Sequence, residues 1–131
     1  MPLALTIDGR TFNAEIPQNG IKRSGSILDG PNAGRTKTGR MLRDVIGTYY
    51  NYSVQVNTNA MAPDQYDALY EVLTAPVDCH TITVPYGQGT LTFEAYVASV
   101  EDSLIAVQNG INLWCSLAFT FTAMDPQRSP E

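Results

Sequence analysis

The sequence predicts a mainly β domain with one short helix, and three observations carry that expectation. Apolar and polar residues alternate with period two in several stretches, most cleanly over 48–57. Two Xaa-Gly pairs, Asp8-Gly9 and Asn109-Gly110, have the composition of type I′ hairpin turns, in which both central residues take positive φ. One longer stretch, 63–75, shows helical spacing of its apolar residues, opening at Pro63 and stopped by Pro76. At 131 residues the chain is one domain by size, expected to occupy 1–125 with a flexible polar tail over 126–131.

Residues 1–16 read as the first hairpin. The Asp8-Gly9 turn pairs Leu5 with Phe12 and Leu3 with Ala14, placing Leu3, Leu5, Ile7, Phe12 and Ala14 on one face. Pro17, Gln18, Asn19 and Gly20 end it. Residues 21–40 are rich in glycine and basic residues, with only Ile21, Ile27 and Leu28 as large apolar anchors. They read as a long arm, its basic run reaching 43, that orders against a partner. Residues 41–46 fit either a helical turn or the lead into a strand. From 48 to 57, Tyr50, Tyr52, Val54 and Val56 face inward. In the helix, Pro63 suits the first turn, Asp64 and Asp67 the positive end of the dipole, and Pro76 the stop. Tyr66, Leu69, Tyr70 and Leu73 form its apolar stripe, with Asp64, Asp67 and Glu71 nearly opposite. Residues 78–85 make a strand with His80, Ile82 and Val84 on one face, and a turn over 86–89 leads into a strand over 90–100. Asn109-Gly110 is expected to pair Leu104 with Cys115 and Ile105 with Trp114. The last strand, 111–123, aligns Ile111, Leu113, Cys115, Leu117, Phe119 and Phe121.

Charge is distributed unevenly along this chain. From 44 to 127 there is no Lys or Arg but nine Asp and Glu, whereas residues 1–43 hold seven basic residues against three acidic ones. A surface normally intersperses both signs. A basic segment joined to an acidic body attracts copies of itself head to tail, which points to assembly. The candidate subunit-interface residues are therefore Lys22, Arg23, Arg35, Lys37, Arg40 and Arg43 on one side and Asp64, Asp67 and Glu71 on the other. The acidic trio also fits a solvated helix face or a cation site. Charged residues are only 16% of the chain, which suits strands packed on other protein surfaces, or simply a β-rich composition.

The chemistry of catalysis is missing from the pattern. His80 is the single histidine, so no second one exists to build a metal site, and it reads as a packed or rim side chain. Cys79 and Cys115 lack CxxC spacing and read as buried thiols, with a disulfide as the alternative. The segment 30–36 imitates a phosphate-binding loop, but it is one residue short, has Arg35 where lysine belongs, and follows no buried strand. No enzyme activity, cofactor, metal or small-molecule substrate is expected. Nucleic-acid binding by the basic arm, on an OB-like fold, is the alternative function. The net charge of −5 and an arm without aromatic residues for base stacking weigh against it. No apolar run approaches the roughly 18–20 residues of a membrane span, and the first residues lack a signal-peptide pattern. Synthesis and retention in a cytosol are expected.

The order of elements, the helix opening APDQY at 62–66, and the segment GRTKTGRMLRDVIGT at 34–48 together resemble small tail proteins of long-tailed bacteriophages and prophages. That resemblance implies a tail-tube-like fold: two packed antiparallel sheets, as a β-sandwich or split barrel, flanked by a short α-helix. It also implies a structural subunit of the virion tail, assembled in the bacterial cytoplasm. Its partners would be other tail proteins and copies of itself in a homo-oligomeric ring, six subunits being a candidate size. The loop positions that would reach a neighbour are Arg35, Lys37, Arg40 and Arg43.

Overall fold

The computed structural model describes residues 2–57 and 61–130. It contains β1 (Pro2–Ile7), β2 (Arg10–Glu15), β3 (Ile21–Asp29), β4 (Gly34–Arg35), β5 (Met41–Leu42), β6 (Val45–Val56), α1 (Pro63–Leu73), β7 (His80–Tyr86), β8 (Gly89–Gln108) and β9 (Ile111–Ala123). The protein is mainly β with one helix. Seven strands form one antiparallel sheet in the order β2-β1-β7-β8-β9-β6-β3, and β4 with β5 forms a second, two-stranded sheet.

The large sheet folds over on itself. Although β6 and β7 are not neighbours in it, Tyr52 of β6 donates a hydrogen bond to the Pro85 carbonyl of β7 at 2.7 Å, and its ring lies 6.1 Å from that of Phe93. The sandwich-like layers are thus two halves of one sheet. They are joined through β8 and β9, whose ladder carries irregularities at Val97/Val100, Glu101/Ser103 and Leu104/Ala106. Each extra residue bends its strand and increases its twist, which lets a long strand serve both halves. Leu5, Ile7, Phe12, Tyr52, Ile82, Leu117 and Phe121 fill the space between them.

The β1–β2 hairpin has the expected register, Leu5 opposite Phe12 and Leu3 opposite Ala14, and Asp8 and Gly9 both take positive φ. Helix α1 starts at Pro63 and buries Tyr66, Leu69 and Leu73. It ends at Thr74, whose hydroxyl donates to the Tyr70 carbonyl. His80, Ile82 and Val84 are buried together on β7.

Four expectations need correction. Residues 21–29 are not a loose arm: they form β3, paired along its length with β6. Because β3 is an edge strand and largely exposed, it carries no hydrophobic alternation, and its glycine and serines look like loop. Gly25 is covered by the ring of Tyr50 opposite, which compensates for its missing side chain. Second, β8 runs on to Gln108, past the expected limit of 100. Its extra residue near Ile105 shifts the hairpin register by one, so that Leu104 pairs with Trp114 and Ser103 with Cys115. Third, Ser116 has φ of 57° in the middle of β9. That kink separates an inner half, where Leu117, Phe119 and Phe121 are buried, from an outer half in which Ile111 is exposed and Leu113 half-buried.

Fourth, the segment after 125 is pinned as far as Arg128. Gln127 N–H donates to the Thr48 carbonyl, Thr48 N–H to the Arg128 carbonyl, and Tyr50 N–H to the Gln127 side-chain oxygen, all within 2.9 Å. These bonds continue the edge of β6 beyond Tyr52, where its pairing with β9 stops. Gly47 permits the close approach: a Cβ there would lie 2.5 Å from the Arg128 carbonyl oxygen and 2.6 Å from Pro126 Cβ. Gly47→Ala should therefore cost about 1–3 kcal/mol, the usual penalty of overpacking. Amide exchange at Thr48 and Tyr50 should accelerate with it. A variant with wild-type melting and unchanged protection there would show that the contact yields freely.

Candidate functional site

The two ends of β6 carry surfaces of opposite character. Over its 12 residues β6 spans roughly 35–40 Å. The β4–β5 hairpin joins its first residue, and its last leads toward α1. Because Val56 pairs with Leu117, residues 111–116 and the tip of the β8–β9 hairpin project beyond that same second end.

At the first end, the basic segment is an ordered hairpin. Thr36 N–H donates to the Arg40 carbonyl at 2.8 Å, Gly39 N–H to the Thr36 carbonyl at 2.9 Å, and Arg35 Nη1 to the Gly39 carbonyl at 2.9 Å. Its base is held by Arg43 Nε, which contacts both Asp29 carboxylate oxygens at 2.9 and 3.0 Å. That pair is partly exposed and contributes about 0.2–1 kcal/mol, so it positions more than it stabilises. Lys37 and Arg40 are exposed and make no ion pair with the described residues. Around them Ile27, Leu28, Met41, Leu42 and Ile46 are 38–57% exposed. Exposed apolar side chains gathered at one end of a sheet are candidate contact points for another protein surface.

Of the expected basic group, Arg35, Lys37, Arg40 and Arg43 come together here. Lys22 and Arg23 do not. They sit in β3 opposite Ser53 and Tyr52, nearer the other end of β6, with the Arg23 guanidinium 5.2 Å from the centre of the Tyr86 ring. The phosphate-loop imitation at 30–36 is occupied from within. Gly30 N–H donates to the Asp44 carbonyl and Asn32 N–H to the Asp44 carboxylate, whose charge repels a phosphate.

At the second end, Asp64, Asp67 and Glu71 are exposed on α1 and form no ion pair among the described residues. Sequence reasoning missed their neighbours. Tyr66 donates to the carboxylate of Asp102 on β8. Burial, then the hydrogen bond and charge of Asp102, push the Tyr66 phenol far above its ordinary range, so it remains a donor. Between α1 and the β8–β9 hairpin lies a groove. One part, about 450 Å³, is lined by Met61, Pro63, Tyr66, Asp67, Ile111 and Trp114 among others. The adjoining part, about 280 Å³, adds Tyr70, Glu71 and Asp102. On the same hairpin Leu104, Ile105 and Val107 are 49–59% exposed. The sequence did hold a signal for both apolar clusters: Ile27-Leu28, Met41-Leu42 and Leu104-Ile105 are consecutive apolar residues, which a one-faced strand cannot bury together.

The remaining chemistry-bearing groups have structural settings. His80 is buried, and its Nδ1 lies 2.6 Å from the Asp8 carboxylate. Cys79 and Cys115 are free and half-buried rather than fully buried. Desolvation, then the charge of Glu94, push the Cys79 thiol up, which favours the protonated form. Among the described residues there is no cluster of three metal-binding side chains, and no helix is long and apolar enough to cross a membrane. No protein-family model matches the chain, and a search of curated proteins finds no match.

Proposed function

We propose that this chain is a structural subunit of a phage or prophage tail, assembling through contacts between copies into a ring or tube. The observation that carries the assembly reading is its polarity. One end presents exposed apolar side chains among cations, and the other presents exposed apolar side chains among carboxylates. Each end repels its like and attracts its opposite. Such a subunit joins head to tail, and head-to-tail contacts close into rings or extend as filaments. The tail assignment rests on the resemblance of element order and of segment 34–48. It adds other tail proteins as partners, the virion tail as location and the bacterial cytoplasm as the place of assembly. The reading calls for no catalysis, cofactor or small-molecule substrate.

Sedimentation velocity across protein concentration and salt tests it. Closed rings or stacks should appear as concentration rises, and weaken between about 50 and 500 mM salt as screening shortens the reach of the charges. A chain that stays monomeric at hundreds of micromolar would falsify self-assembly. The OB-like alternative is separated by titrating single-stranded DNA at several salt concentrations, where phosphate contacts give a steep slope. No measurable binding near 150 mM salt is expected, since the seven-stranded sheet departs from the five-stranded barrel of that fold and Asp44 occupies the loop amides.

A further inference from the structure

We infer that the groove between α1 and the β8–β9 hairpin of one copy receives the β4–β5 hairpin of the next. This rests on the assembly reading and names the surfaces that meet. The groove combines an apolar and aromatic wall, from Met61, Ile111, Trp114 and Tyr70, with a rim of Asp67, Glu71 and Asp102. The hairpin has the inverse composition: Met41 and Leu42 are exposed, flanked by Lys37 and Arg40, which have no ion-pair partner of their own among the described residues. A planar guanidinium suits such a groove, since it stacks on aromatic faces while its N–H groups meet carboxylates. Arg35 donates to the Gly39 carbonyl and Arg43 pairs with Asp29, which makes Arg40 and Lys37, unpaired among the described residues, the first candidates for the inserting cations.

The occupant is a second copy and not the same chain. Hairpin and groove lie toward opposite ends of the 12-residue strand β6, and the hairpin is tied down by Arg43–Asp29 and by Gly30 N–H to the Asp44 carbonyl. Two grooves facing each other would oppose carboxylates, and two hairpins would oppose cations. Both like-with-like arrangements carry a repulsive cost, which leaves the heterologous contact as the one favoured by charge and apolar matching together.

Two charge-reversed forms of the full chain test this. Lys37→Glu with Arg40→Glu makes the hairpin acidic, and Asp67→Lys with Glu71→Lys makes the groove basic. All four positions are exposed, so each form should melt close to wild type. Each alone should need at least tenfold more protein to associate than wild type. Mixed one to one they should associate again near the wild-type concentration, in strict alternation, because the acidic hairpin now meets the basic groove and the unaltered pair remains complementary. Leu42→Asp, also at an exposed position, should weaken association without restoring it in any mixture. Wild-type association in either reversed form, or loss in both without rescue on mixing, overturns the inference and leaves the assembly reading standing. A wild-type chain that never associates overturns both.

Discussion

Replacing Phe121 by Ala should cost about 3–5 kcal/mol, a large share of the 5–15 kcal/mol that holds a domain together. Phe121 is fully buried on β9, between Tyr52 of β6 and Val97 of β8 in the ladder, and its ring meets that of Phe119 edge to face at 5.1 Å. It sits at the seam joining the two halves of the folded sheet. Its removal therefore deletes buried area and opens a void where neither half can collapse without disturbing the other. Urea unfolding should show a lower midpoint with an unchanged slope, since the surface exposed on unfolding hardly changes. Ile105→Ser, on the exposed outer part of β8, should shift stability by no more than about 0.5 kcal/mol. Should Phe121→Ala lose less than about 1.5 kcal/mol, the tight seam described here does not exist.

The second large effect belongs to Asp8, which does three things at once. It takes φ of 53° in the type I′ turn, it accepts from His80 Nδ1 at 2.6 Å, and it accepts from Thr81 N–H at 2.9 Å. Asp8→Ala forfeits the turn preference and leaves the ring nitrogen of a buried histidine without its acceptor, so a loss of about 2–4 kcal/mol follows. Asp8→Asn keeps the turn and an acceptor but not the charge, and should lose about 1 kcal/mol, the carboxylate being half exposed. Burial works to raise the Asp8 pKa, but the hydrogen bonds from His80 and Thr81 and the histidine charge outweigh it. The carboxyl is held below its usual value of 3.8. A depressed carboxyl adds stability that is fully present above the unfolded-state pKa, and that fades as pH falls through the lower folded one. The gap between wild type and Asp8→Asn should thus close as pH falls below about 4. Melting curves from pH 2.5 to 7 decide it, and a gap that widens on acidification would refute the assignment.

What the sequence disclosed, and what it hid, divides along one physical line. Local signals were legible wherever one face of an element is buried. Asp8-Gly9 gave the exact pairing of Leu5 with Phe12, and the stripe Tyr66, Leu69, Leu73 located α1, because turn chemistry and burial act on consecutive residues. Edge strand β3 was unreadable for the opposite reason: its order comes from β6, whose paired residues lie 16–33 positions away in the chain, and its side chains stay largely in water. The one-residue shift near Ile105 was equally invisible, since a bulge leaves no mark in composition. For the proposed assembly surfaces, the uneven charge was plain in the sequence. The separation of Lys22 and Arg23 from the other cations, and the joining of Asp102 and Trp114 to the acidic helix face, required the path of the sheet.

The pairing order also sets a schedule for synthesis. The β3–β6 ribbon is complete once residue 56 has been made, yet β9, which ties it to the rest, ends only at residue 123. At translation rates of about 5–20 residues per second, that delay amounts to roughly 3–13 s. During it the inward side of the ribbon, Tyr52, Val54 and Val56, has only the β1–β2 hairpin and not the rest of the opposite half to cover it, while the β4–β5 hairpin beside it can already exist. Nascent chains on neighbouring ribosomes therefore expose apolar ribbons to one another before any of them can close. A holdase that covers such surfaces should raise the yield of folded protein more than faster folding in isolation would suggest, and slower growth temperatures should help for the same reason.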